Sequence, residues 1–277
     1  MQKIAKDIFI ETKFPGVTVG AIVGPEGVIC IDAPTHPADA RNWRQQLEQL
    51  SGQPVRFVVS LDHHRDRILN LQWMEAPVIA HEQTFDRMRL LPDWFKNSSS
   101  EPGSESELVT DLAGLRVAHP QLTFDQHMVL RWGSQALRLR HRGGVANGAI
   151  WAELPEAGVV FVGDSVTHKA PPLMADADLE VWLATLAELK KQKWVKHIVP
   201  GRGGALKREG LQPMEAVLKL VQRKIETLLK GRKTRADLEA VVQEVLGKFT
   251  VTAELRPHYQ RRLRAGLDHL FDRRLNR

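Results

Sequence analysis

Apolar residues are arranged in this chain first as short β-branched runs and later as helical periods. Ile8-Phe9-Ile10, Gly16 to Val23 and Gly27 to Asp32 are rich in Val and Ile, and Gly24-Pro25-Glu26-Gly27 sits at the second turn, which predicts strands joined by a hairpin. Between Ala38 and Leu50 the apolar residues Trp43, Leu47 and Leu50 recur at helical spacing, and Arg56 to Ser60 returns to a strand pattern, so a β-α-β unit is predicted. Further on, Ile68, Leu69, Leu71 and Trp73 predict a short helix, Val78-Ile79-Ala80 a strand, and Glu82 to Leu91 a helix. Residues 97–110 break the pattern with Ser, Gly, Pro and acid, the signature of a mobile loop and a candidate lid; Trp94 and Phe95 beside it either cover a pocket or pack under the loop. Strands resume at Met128 to Trp132, Ala136 to Leu139, Ala149 to Glu153 and Val159 to Val162, followed by a helix from Leu179 to Lys190 and the strand His197-Ile198-Val199. From Gln212 to Arg277 nearly all is helix, with Met214, Val217, Leu218 and Val221 on one face and Leu263, Leu267, Leu270 and Phe271 on another.

A length of 277 residues with 43% hydrophobic side chains supplies a substantial core and suits one large α/β domain or two small ones. No run reaches the roughly 18 apolar residues of a membrane span, and Met1 to Asp7 lacks the apolar stretch of a signal peptide, so a cytoplasmic protein is expected. Cys30, the single cysteine, excludes an internal disulfide and any multi-cysteine zinc site, and its apolar neighbours predict a buried, inert thiol. The net charge of +6 is uneven: residues 205–277 hold 17 Lys+Arg against 9 Asp+Glu, leaving 22 against 24 before them. Those basic residues alternate with acids along helical faces, as a solvated surface does, and this argues against a nucleic-acid partner. The helix Leu255 to Leu275 carries an apolar stripe beside Arg256, Arg261, Arg262, Arg264, Arg273 and Arg274, so it needs either its own core or a second subunit, which makes a homodimer through these helices one expectation.

Chemistry is concentrated in Leu61-Asp62-His63-His64-Arg65-Asp66-Arg67, directly after the apolar run of Val55, Phe57, Val58 and Val59. A strand that runs out into such a loop presents ionisable groups on a rigid base. The stretch resembles the metal loop of the metallo-β-lactamase superfamily, [ST]-H-x-H-x-D-H, in which His64 and Asp66 match, Asp62 stands at the first His and Arg67 at the last. A register shifted by one would keep one ligand and lose Asp66. Four further segments follow in the family's order: Ile31-Asp32, Gly144 to Ile150 with Val145 at a ligand position, Phe161-Val162-Gly163-Asp164 with the bridging carboxylate, and Pro200-Gly201-Arg202-Gly203 with arginine at the final His.

The resemblance implies a four-layer αββα sandwich over residues 1–205, with the sheets of residues 7–81 and 122–162 packed face to face, residues 206–277 as a helical extension packed on it, and Asp32 hydrogen-bonded beneath the loop. It also implies a first metal site at positions 62, 64 and 145, a second at Asp66, Arg67 and Arg202, and Asp164 shared between them. Arginine stays protonated and offers no lone pair, so the pair of zinc ions typical of the family is not expected. Fork-shaped pairs from Arg67 and Arg202 to Asp62, Asp66 and Asp164, with a protonated His64, would instead balance the charge. His141 and His168 are the remaining histidines that a lost ligand position could recruit. Three readings stay open. One is a catalytically silent member, a pseudoenzyme that binds a small-molecule ligand or a partner and has no cofactor. The second is a hydrolase with one divalent ion (zinc, iron or manganese) on Asp62, His64 and Asp164. The third is a metal-free enzyme in which Arg67 and Arg202 hold an anionic substrate and Asp66 or His64 acts as base.

Overall fold

The computed structural model describes residues 1–90, 101–232 and 234–275. A strand that is apolar on both faces needs cover on both, and β4 (Gly27–Ile31) shows how this chain supplies it. Val28 and Cys30 point to one side, where they meet Trp43 and Leu47 of helix α1 (Pro37–Ser51). Ile29 and Ile31 point to the other and pack with Leu137, Leu139 and Ile150 of a second sheet. Burial pushes the Cys30 thiol pKa up, in keeping with an inert core residue.

The first sheet runs in sequence order, from β1 (Gln2–Ala5), β2 (Ile8–Glu11) and β3 (Val19–Gly24) to β4, then β5 (Val55–Val59), β6 (Val78–His81) and β7 (Leu122–Phe124). Its first four strands pair antiparallel; from β4 onward the pairing is parallel, across α1, the short helix α2 (Arg65–Ile68) and helix α3 (Glu82–Arg89). The second sheet comprises β8 (His127–Trp132), β9 (Gln135–His141), β10 (Ile150–Leu154), β11 (Val159–Thr167) and β12 (His197–Arg202), ordered β12-β11-β10-β9-β8. All its pairs are antiparallel except β11 with β12, which are joined through helix α4 (Leu179–Lys191).

The two sheets lie face to face over an apolar layer that includes Ile10, Ile31, Val59, Leu139 and Phe161. Helix α1 covers the outer side of the first sheet. Helix α4 covers the second, together with α5 (Gln212–Lys230), α6 (Leu238–Leu246) and α7 (Arg256–Leu275). This is the αββα sandwich with C-terminal helices. Two readings need correction. Residues 122–124 belong to the first sheet, where Ile79 pairs with Leu122, and the second sheet starts at His127. In the segment expected to be a mobile loop, residues 103–106 are buried and Glu105–Leu108 form a 3-10 turn; residues 97–100, Trp94 and Phe95 lie outside the described residues. No helix among the described residues is long and apolar enough to cross a membrane.

The apolar stripe of α7 finds its partner in the chain itself: Leu263 and Leu267 are fully buried with Val241, Val242 and Val245 of α6. Leu263→Ala should therefore lower unfolding stability by about 2–5 kcal/mol, as removal of a core methyl cluster does. Urea titrations should give the same loss across a roughly hundredfold range of protein concentration; a loss that grows on dilution would move the stripe to a subunit interface.

Candidate functional site

Four strands that run parallel within their sheets, β4 and β5 in the first and β11 and β12 in the second, bring their carboxyl ends to one place. At the end of β4, Asp32 adopts a left-handed conformation (φ 58°), which Asp tolerates better than most residues, and turns its carboxylate under the next strand. Its Oδ1 accepts the Leu61 backbone N–H at 2.9 Å, and its Oδ2 accepts from Arg67 Nη1. After β5, Asp62 Oδ1 accepts the His64 N–H at 2.9 Å, which turns the chain into α2 and carries Asp66 and Arg67 inward. Asp164 comes from β11 and Arg202 from the end of β12.

Arg67 is fully buried among three carboxylates. Besides Asp32, it donates from Nη2 to Asp164 Oδ1 at 2.5 Å, and its Nε lies 3.2 Å from Asp62 Oδ1. Arg202 extends the cluster: Nη2 donates to Asp66 Oδ2 at 2.7 Å and lies 3.4 Å from Asp164 Oδ2, while Nη1 donates to Glu105 Oε2 at 2.6 Å and to the Gly16 carbonyl. The remaining capacity of Asp66 is filled by the N–H groups of Ser106 (2.7 Å) and Glu105 (3.3 Å). Gly201 makes room for all this, since a Cβ there would overlap both Arg67 Nη2 and Asp164 Oδ1.

Helix α7 also reaches the cluster. Arg262 Nη2 donates to Glu105 Oε2 at 2.5 Å, its Nε and Nη1 hold the carbonyls of Gly103 (2.7 Å) and Pro171 (2.9 Å), and the Tyr259 hydroxyl donates to Glu105 Oε1 at 3.1 Å. Glu105, Arg262 and Tyr259 were not singled out in the sequence as site residues. Their only signals were the acids of the loop, read as mobile, and the arginines of the last helix, read as a solvated surface.

Protonation follows from burial set against these partners. Burial opposes charge on His64, but Nδ1 stands 3.2 Å from Asp62 Oδ1 and 3.4 Å from Asp164 Oδ2, and these carboxylates hold the imidazole pKa well above its ordinary value. Burial also works against ionised Asp164 and Asp66; for Asp164 the guanidinium groups of Arg202 and Arg67 prevail, for Asp66 that of Arg202, and both carboxyls sit below the ordinary range. In Asp32 burial prevails over Arg67 and raises the carboxyl to about 6. Burial likewise raises Glu101 to about 7 against the pull of His64.

The structure thus gathers Asp62, His64, Asp66, Arg67, Asp164 and Arg202, and leaves Val145 out. Its side chain is buried in the apolar layer that also holds Ala146, Trp151 and Trp182. His63 turns away to Asp176, with Nε2 3.1 Å from Oδ2. His141 pairs with the Asn147 carbonyl at 2.6 Å and stacks on His81, and His168 is exposed; neither joins the cluster. Beside the cluster lies a cavity of about 170 Å³ that His63, Arg65, Glu101, Asp176, Arg262 and His269 help to line.

One trio has the donor chemistry for a metal. Asp62, His64 and Asp164 offer ligand atoms that all lie within 4.8 Å of one another, and buried Asp62 Oδ2 makes no hydrogen bond. Arg67 is in contact with two of the three. Of the second ion's positions, only Asp66 and the shared Asp164 have lone pairs to offer, and the oxygens of both already accept from the arginines or the backbone.

No family model matches the sequence, and no match to a curated protein was found. Solved structures give the fold. A metallo-β-lactamase from Pontibacter korlensis superposes with a TM-score of 0.60 at 22% identity, covering 79% of this chain and 97% of its own. A metallo-β-lactamase family protein from Thermus thermophilus gives 0.70 at 20% identity, over 99% of this chain and 95% of its own. The stereoselective inverting sec-alkylsulfatase Pisa1 from a Pseudomonas species gives 0.74 at 14% identity, over 99% of this chain and 50% of its own. This chain has the metallo-β-lactamase fold.

Arg67→Met should cost about 3–5 kcal/mol of stability at neutral pH, because it leaves Asp32 and Asp164 buried without their shared counter-charge. In the parent, Asp66 and Asp164 have lowered folded pKa values, so their contribution is present above about pH 4 and is lost as pH falls toward those values. His64 has the opposite sign: its contribution is complete below about pH 6.5 and is lost as pH rises through the raised folded value. Raised Asp32 and Glu101 add a decline of their own that ends by about pH 8, and the buried Cys30 thiol, also raised, adds one above about pH 8.5, so His64's share is the part that its substitution removes. Urea midpoints measured against pH should show this alkaline decline in the parent and a shallower limb in His64→Gln; limbs of equal slope would sink the assignment.

Proposed function

We propose that this chain is a silent member of the fold, in which a buried arginine–carboxylate network has taken the place of the dinuclear metal centre and the cavity beside it binds a small-molecule ligand. The observation that carries the reading is the position of Arg67, whose guanidinium is fully buried between Asp32, Asp62 and Asp164. A unit positive charge about 4 Å from a dication costs roughly 8 kcal/mol at an effective dielectric constant of about 20. Every 1.4 kcal/mol is about tenfold in affinity. A second ion lacks a complete donor set, since Arg67 and Arg202 stand at two of its positions and leave only Asp66 and the shared Asp164.

A single ion remains the alternative, and two observations favour it: the clustered donors of Asp62, His64 and Asp164, and the unbonded Asp62 Oδ2. Bound there, it would supply the Lewis acid of a hydrolase of an ester, thioester or other anionic substrate. The metal-free enzyme has less support. Both terminal nitrogens of Arg67 and of Arg202 already donate to acceptors of the chain, the carboxylates beside His64 hold its imidazole pKa well above the ordinary value, and both oxygens of Asp66 accept.

Metal analysis of purified protein separates the two. The network predicts well under one equivalent of zinc, iron or manganese and no rise in melting temperature on adding zinc, because an ion that binds only the folded state must stabilise it. Installing Asp62→His, Arg67→His, Val145→His and Arg202→His together should restore metal uptake, and each alone should do little. One equivalent of metal in the parent, lost in His64→Gln, would establish the single-ion hydrolase instead.

A further inference from the structure

We propose that a groove between α5 and the end of α6, away from the arginine cluster, is a binding site for an amphipathic anion: one unbranched aliphatic chain that ends in an acidic head group. Its volume of about 720 Å³ lies in the range of about 300–1,000 Å³ that small-molecule sites occupy. Two kinds of side chain line it. Pro213, Met214, Val217 and Leu220 of α5, with Phe249 from the turn after α6, form an apolar floor. Lys169, Arg223 and Lys248 stand on its lining as cations, and among the described residues no ion pair engages any of them. Among the described residues Glu244 is the one carboxylate of the lining; Lys224 pairs with it at 2.6 Å, and Lys248 and Arg223 act on its charge from farther away.

This division of labour fixes the occupant. Water in the groove covers apolar side chains that a hydrocarbon would cover with a gain in free energy, while the unpaired cations select the charge of whatever brings that hydrocarbon. A wholly apolar ligand would gain nothing from the three exposed cations at its edge. A second copy of this chain is disfavoured by charge, since it would bring another C-terminal region with 17 Lys+Arg against 9 Asp+Glu toward the same cations. Lys169 also lines the smaller cavity of about 130 Å³ that contains Arg202, Glu105 and Tyr259, so the acidic head would lie on the side of the groove nearest the cluster.

Isothermal titration calorimetry with decanoate, 1-decanol and decyltrimethylammonium tests the proposal on the full chain. Decanoate should bind as a one-to-one complex, weaken as salt is raised, and bind at least roughly tenfold tighter than the alcohol or the cation. Ala216→Trp, a change at an exposed lip position that fills the groove, should abolish uptake with an unchanged melting temperature, and Lys169→Glu with Lys248→Glu should weaken it by roughly tenfold or more. Undiminished decanoate binding by folded Ala216→Trp would overturn the site. Equal binding of decanol, or no decanoate binding at millimolar concentration, would overturn the ligand class. A parent dimer that Ala216→Trp converts to a monomer, with no decanoate uptake, would assign the groove to a second copy and overturn the proposal as well.

Discussion

Removing a carboxylate from water is costly unless a counter-charge goes with it, and this fold removes five together: Asp32, Asp62, Asp66, Asp164 and Glu105. Three guanidinium groups and one imidazolium answer them. Guanidinium suits the task because its fork reaches two or three acids at once and cannot lose its proton. Arg67 spans the gap between the end of β4 and β11, so it ties the first sheet to the second. Arg202 does the same in the other direction, from β12 to Asp66 in α2 and to the Glu105 turn.

The consequence reaches the periphery. Residues 103–106 are held down by their contacts with Asp66, Arg202 and Arg262, which is why a stretch of loop-like composition is buried. Helix α7 therefore has two attachments of different kinds. Its apolar stripe closes the outer core, and Arg262 with Tyr259 enters the polar centre. A helix that elsewhere in the fold would serve only as cover is here part of the charge balance.

The layers were legible because β-branched runs bounded by Gly and Pro leave few alternatives, and because strands apolar on both faces require cover on both. Strand β7 was misplaced because three residues, two of them exposed, carry no two-sided pattern. The inward residues around positions 62–67, 164 and 202 came from the order of the segments. The Glu105 branch did not, since its partners lie 97 and 157 residues away and pairing across such distances leaves no local period. Charge was the only hint, and on a helix the charge of a buried arginine reads the same as that of a solvated one. Val145 shows the reverse case: a position expected at the site belongs to the apolar layer, because its side chain follows the packing of its own segment.

The separation in sequence between Arg262 and Glu105 also orders events during synthesis. A ribosome that adds about 5–20 residues per second needs about 8–31 s to travel the 157 residues from the acid to its arginine, and only slightly less from Asp66 to Arg202, 136 residues on. During that interval the nascent first sheet carries acids whose cations do not yet exist. Closing over Asp66 and Glu105 before Arg202 emerges would strand their charge, so the carboxyl-end rim of the first sheet is expected to close late in synthesis. Docking of α7 then adds Arg262 and Tyr259 to Glu105 and completes the polar centre.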